Sequence, residues 1–127
     1  MKSFNKEKYN ELCASFLGAR YYPASKEYEL YGVLECIEDG ENEKHFFTPH
    51  SMEFDSDWNW IMEVVEKIEK ECGVSIVGGP VKKPTCVIYL GNLKAKSGQG
   101  NSKKEAVVQA IWEFLNWYNE QSKTINK

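Results

Sequence analysis

The stretch Gly91-Asn92-Leu93-Lys94-Ala95-Lys96-Ser97-Gly98-Gln99-Gly100-Asn101-Ser102-Lys103-Lys104 concentrates what an anion needs. Its glycines leave backbone amides accessible, its serines offer hydroxyls, and its lysines bring positive charge. Ser102-Lys103-Lys104-Glu105 has the S-x-x-E form of a helix capping box. The stretch therefore reads as a glycine-rich basic loop running from a strand into a helix N-terminus, where the helix dipole adds to the attraction. The candidate phosphate contacts are Lys94, Lys96, Ser97, Gly98, Gly100, Ser102, Lys103 and Lys104. No G-K-[ST] follows the first glycine at the spacing of a nucleoside-triphosphate loop. Gly98-x-Gly100 also lacks the third glycine of a dinucleotide fingerprint. A solvated loop leading into an ordinary capped helix is the plain alternative.

Aromatic side chains offer a second kind of contact. Arg20 stands before Tyr21-Tyr22, a cation beside two rings that could stack on a base, and Tyr89 is a third possible stacking surface. Packing of the tyrosine pair against a neighbouring helix competes with that role. Covalent and acid–base chemistry find less support. His45 and His50 lie near Ser51 and Asp55, but closeness in sequence does not make a triad, and a solvated connection accounts for them. Cys13, Cys36, Cys72 and Cys86 form no C-x-x-C pair and read as buried, reduced thiols. The expectation is a binding protein rather than an enzyme, with no metal and no cofactor.

The elements that must position these residues follow from periodicity. Tyr9, Leu12, Cys13, Phe16 and Leu17 make the stripe of a helix over 5–17, with Gly18 as its stop. From Lys26 to Ile37 the period is two, and Asp39-Gly40-Glu41-Asn42 turns the chain into a short return strand at Lys44 to Thr48. Asp55-Ser56-Asp57 opens a second helix with acceptors for its free amides. Its expected buried stripe is Trp58, Ile61, Met62, Val65, Ile68 and Cys72, closed by Gly73. Val74 to Val77 and Thr85 to Leu90 read as two strands. The last helix starts near Ser102 and presents Val107, Ala110, Ile111, Phe114, Leu115 and Tyr118. The order is helix, strand pair, helix, strand pair, helix, which predicts an α+β fold with a small, mainly antiparallel sheet packed against helices. Trp60, Trp112 and Trp117 fall off these stripes, which predicts a subunit interface and a homo-oligomer.

Length and charge bound the rest. The chain has 127 residues, 42% of them hydrophobic, which fits a single domain spanning 1–127 with a core of its own. Residues 1–79 carry 8 basic and 16 acidic side chains, whereas residues 80–127 carry 8 basic and 3 acidic. The net charge of -3 hides that split, and six of the eight C-terminal basic residues lie between Lys82 and Lys104. An overall negative charge and the lack of a basic helical stripe argue against duplex nucleic acid. No stretch is apolar enough to span a membrane, and the opening residues lack the apolar core of a signal peptide, so the expected location is the cytoplasm.

Phe54-Asp55-Ser56-Asp57-Trp58-Asn59-Trp60-Ile61-Met62-Glu63-Val64-Val65-Glu66-Lys67-Ile68-Glu69 resembles small bacteriophage and prophage proteins that carry the phage ABA sandwich domain. Ser102 to Glu120 and Leu12 to Gly18 are similar to the same family, while the intervening strands match poorly. The resemblance implies a phage or prophage origin, an α/β sandwich and a bacterial host cytoplasm. Small phage proteins of this general kind include oligomeric sponges that sequester nucleotide immune signals, cyclic ADP-ribose isomers of Thoeris or cyclic oligonucleotides of CBASS. What this implies is a non-enzymatic, homo-oligomeric binder of a small nucleotide signal. The alternative is an accessory protein acting through its tryptophan-rich helices. A single arginine departs from the usual phosphate clamp, so lysines would have to serve.

Overall fold

A computed structural model describes residues 3–30, 46–78, 83–91 and 94–125. The chain forms two compact units, residues 1–64 and 65–127, with the boundary inside the second helix. It is an α+β protein of three helices and two three-stranded antiparallel sheets, in the order helix, sheet, helix, sheet, helix. The expected order holds, but each strand pair has gained a third strand. No described helix is long and apolar enough to cross a membrane.

The N-terminal unit opens with helix α1, Lys6–Phe16. Asn5 caps it, its side-chain oxygen accepting from the Lys8 amide at 2.9 Å. Gly18, at φ +90°, ends it: the Ala19 amide reaches back to the Ala14 carbonyl and the Gly18 amide to that of Ser15. The buried face is Tyr9, Asn10, Cys13 and Ala14. Its polar atoms hold the 49–54 segment. The Tyr9 hydroxyl donates to the Phe54 carbonyl at 2.9 Å, and the Asn10 amide to the carbonyls of Pro49 and Met52 at 2.8 and 3.1 Å. Strands β1 (Arg20–Tyr22), β2 (Glu27–Glu29) and β3 (Phe46–Phe47) form an antiparallel sheet in that order. Most of the strand expected over 26–37 and its turn, with Cys36 and His45, lies outside the described residues.

Helix α2, Trp58–Glu69, is capped by Asp57, whose carboxylate accepts from the Asn59 amide at 2.8 Å. Its apolar face keeps Ile61, Val65 and Ile68 of the expected stripe but is rotated away from Trp58 and Met62. Trp60, Ile61, Val64, Val65 and Ile68 are buried, while Trp58 and Met62 are 38% and 36% exposed. The cause is non-local. Trp60 is met edge-on by Phe47 and Phe54, with ring centroids at 5.1 and 4.9 Å, and this turns the helix away from the stripe through Trp58. Gly73 does not close the helix. It is the first residue of the following strand.

The C-terminal unit contains β4 (Gly73–Val77), β5 (Thr85–Gly91) and β6 (Lys94–Gln99), antiparallel in that order, followed by α3 (Lys103–Ile125). Strand β6 replaces the loop expected there. One face of the sheet, with Cys86 and Ile88 buried, takes α3. Gly98 pairs with Cys86 on that face, and a Cβ built on Gly98 would overlap the Ala110 amide nitrogen and stand 2.6 Å from the Ala106 carbonyl oxygen. The helix therefore lies directly on the strand, glycine against alanine. Val107, Ala110, Ile111, Phe114 and Leu115 are buried as expected, as is Ala106, while Tyr118 is exposed.

Candidate functional site

From Cys72 to Lys104 the chain has six lysines and no carboxylate, so the whole β4–β5–β6 sheet carries charge of one sign. Folding gathers part of it at one end. Thr85 pairs with Gln99, and beyond that pair the Gly100 amide donates to the Pro84 carbonyl at 3.2 Å. This places exposed Lys83, next to Pro84, at the same sheet end as Ser102, Lys103 and Lys104. The Ser102 oxygen accepts from the Glu105 amide at 3.1 Å, the N-cap half of the expected box, and its own O–H remains a donor. Lys103 is exposed and Lys104 half-buried. Lys83 was not among the candidates that the sequence singled out. The run free of carboxylates between Glu71 and Glu105 is the signal that points to it.

The two glycines of this region do something other than cradle an anion. Gly98 is buried beneath α3, and Gly100 is buried where a Cβ would stand 2.7 Å from the Glu105 side chain. Each lacks a side chain because the helix comes close, so neither offers an open phosphate cradle. The remaining strand residues divide by parity. Lys96 pairs with buried Ile88 on the α3 side and is itself half-buried, while Ser97 pairs with Val87 on the opposite, open face. Lys94 belongs to β6, and nothing is assigned to its side chain. Tyr89 lies on the open face, opposite Ala95 and Gly73.

Arg20, Tyr21 and Tyr22 form β1, in the N-terminal unit. The Arg20 guanidinium sits 5.2 Å from the centre of the Tyr22 ring, and Tyr22 also meets Phe46 edge-on at 5.7 Å and donates to Glu29 at 2.7 Å. The stacking capacity of Arg20 and Tyr22 is thus directed at each other. Tyr21 tilts over Tyr28 at 4.8 Å and lines a groove of about 420 Å³ with Glu7, Glu11, Lys26 and His50. Two carboxylates on its wall set that groove against a phosphate.

The described cysteines are held as thiols. Burial pushes the Cys86 thiol up to about 11 and raises Cys13 and Cys72 as well, so at neutral pH these are thiols rather than thiolates. The described residues contain no group of three or more side chains suited to a metal ion. The tryptophans expected at an interface are covered by the chain itself: Trp60 is 6% and Trp112 is 2% exposed. Trp117 is half-buried against Phe114 at 5.9 Å. The expected homo-oligomer loses Trp60 and Trp112 as its basis, because both helices turn these residues inward. No protein-family model, curated protein or solved structure matches this chain.

Proposed function

We propose that this chain is a phage- or prophage-encoded binding protein of the bacterial cytoplasm that holds a phosphate-bearing nucleotide signal, a cyclic ADP-ribose isomer or a cyclic oligonucleotide, and withholds it from a defence effector. One observation carries the binding part: Lys83, Ser102, Lys103 and Lys104 meet at one end of a sheet whose strands and turns contain lysines and no carboxylate. A phosphate there meets two exposed ammonium groups, a hydroxyl donor and the positive end of a 23-residue helix. Lysines act as point charges, which suits an anion without fixed bidentate geometry. The thiols held protonated by burial favour capture over covalent chemistry. The phage and counter-defence parts rest on the resemblance around Phe54–Glu69 and Ser102–Glu120. The rival reading, docking through tryptophan-rich helices, is weakened by the burial of Trp60 and Trp112.

The test is capture and release. The purified chain is incubated with a panel of cyclic nucleotides and freed of unbound ligand. It is then heated, and the released nucleotide is measured by mass spectrometry. Intact ligand should be recovered from the wild type and lost from a Lys103→Glu/Lys104→Glu variant that keeps its fold. Absence of retention across the panel at micromolar protein refutes the proposal.

A further inference from the structure

We propose that the open face of the β4–β5–β6 sheet is a track for an extended single-stranded oligonucleotide, with a base stacked on Tyr89 and backbone phosphates on Lys83, Lys103 and Lys104. The inference rests on the phosphate reading of the lysine end and names a ligand class that fills more than that end. Tyr89 is 50% exposed, and its cross-strand neighbours are Gly73 and Ala95, the two smallest residue types. A Cβ on Gly73 would stand 3.5 Å from the Tyr89 ring, so the ring leans over bare glycine backbone. Neither neighbour has a side chain long enough to cover the ring's outer side, which leaves a flat aromatic surface of the kind bases stack on.

Between Tyr89 and the lysine end the same face presents half-buried Val87 together with Thr85, Ser97 and Gln99, none of them buried. Thr85, Ser97 and Gln99 are uncharged hydrogen-bonding groups, able to meet base edges or sugars, and Val87 adds an apolar contact. Ala95, opposite Tyr89, and Gln99 are four strand residues apart, about 13 Å at the usual rise, and Lys103 lies further along the chain. One nucleotide cannot place its base on Tyr89 and its phosphate on Lys103 across that span. Several nucleotides can, with the phosphates at the cationic end and a base on the tyrosine. An acidic peptide would satisfy the lysines and leave the ring without a partner, so the combination favours nucleic acid.

The experiment is fluorescence anisotropy with end-labelled oligothymidylate and oligouridylate of two, four and eight nucleotides, at low and moderate salt, using the full chain. Affinity should rise steeply between two nucleotides and about four or more, the smallest sites typical of such surfaces. It should also fall as salt rises. Tyr89→Ala should weaken the eight-nucleotide probe by about tenfold to a hundredfold, the range for losing one stacked base, and Tyr89→Phe should restore it. If affinity is independent of length, Tyr89→Ala is silent, or a polyglutamate peptide or a nucleic-acid duplex binds equally well, the track is wrong while the lysine end stands. If no phosphate ligand of any size binds, both proposals fall together.

Discussion

Replacing Gly98 by alanine puts a methyl group where the α3 backbone already is. The added Cβ would overlap the Ala110 amide nitrogen and come within 2.6 Å of both the Ala106 carbonyl oxygen and the Gln109 carbonyl carbon. Ordinary contact lies near 3.4 Å, so helix and strand must part by about an ångström, and the obstacle is backbone rather than a side chain that can swing away. Overpacking of this kind costs about 1–3 kcal/mol, and a backbone obstacle places Gly98 at the upper end. The strand entropy that alanine recovers, about 0.5–1 kcal/mol, offsets only part. With a urea dependence of about 1–3 kcal/mol per molar, the midpoint should fall by about 1 M. At Gly100 the added Cβ would stand 2.7 Å from the Glu105 Cβ and Cγ and 3.0 Å from the Ala106 amide nitrogen; Cγ can swing away and the backbone overlap is shallower than at Gly98, so Gly100→Ala should be the milder change. Urea titrations followed by tryptophan fluorescence and far-ultraviolet circular dichroism measure both. A Gly98→Ala variant as stable as the wild type, or one milder than Gly100→Ala, would refute the close-packing account.

Three further outcomes follow from the same geometry. Trp60→Ala should lose about 3–5 kcal/mol in urea unfolding and Trp58→Ala far less, because only Trp60 is enclosed by Phe47 and Phe54; equal losses would contradict the observed face of α2. Ser102→Ala should cost about 1 kcal/mol by removing the acceptor of the Glu105 amide, a loss that Ser102→Asp should largely avoid. Stability should fall at alkaline pH, since burial raises the Cys86 thiol from 9.0 to about 11 and the Tyr28 hydroxyl from 10.0 to about 12. Between the ordinary and raised values the unfolded group has lost its proton and the folded one has not, so unfolding releases protons and is favoured as pH rises. The urea midpoint should hold to about pH 8, decline above 9 and steepen above 10, with Cys86→Ala softening the first decline; a midpoint unchanged through pH 10.5 contradicts this.

The parts of the fold legible in the sequence are those whose signal is local. The helices showed in their apolar periodicity, in the Gly18 stop and in the Asp57 and Ser102 caps, and β4 and β5 showed in their β-branched runs. Strand β6 was illegible because Lys-Ala-Lys-Ser-Gly-Gln has no apolar residue larger than alanine, and the position it turns toward α3 at the contact is Gly98. A strand that packs through a glycine carries no hydrophobic alternation. Strand β1 was hidden for a related reason, its three residues being too few to show a period. For α2 the residues 58–68 are apolar around so much of the circumference that two stripes fit, and the choice between them was made by Phe47 and Phe54, outside the helix.

The glycines of the basic segment show why the candidate site moved. A phosphate cradle and a close helix–strand crossing both require a residue without Cβ, so Gly98-x-Gly100 is compatible with either, and sequence pattern alone does not separate them. Burial does: a glycine covered by Ala106 and Ala110 has no surface left for a ligand. Lysines are not subject to that ambiguity, because an ammonium group stays near solvent wherever the strand runs. The charge therefore survives the correction, and the sheet transfers it. The Gly100–Pro84 hydrogen bond brings Lys83, just before β5, to the sheet end at which Lys103 and Lys104 open α3, and strand pairing sets Tyr89 toward the other end of the face opposite α3. On the proposed reading, an anion site first read along fourteen consecutive residues becomes a surface assembled across strands, whose length, rather than its charge alone, would select among nucleotide ligands.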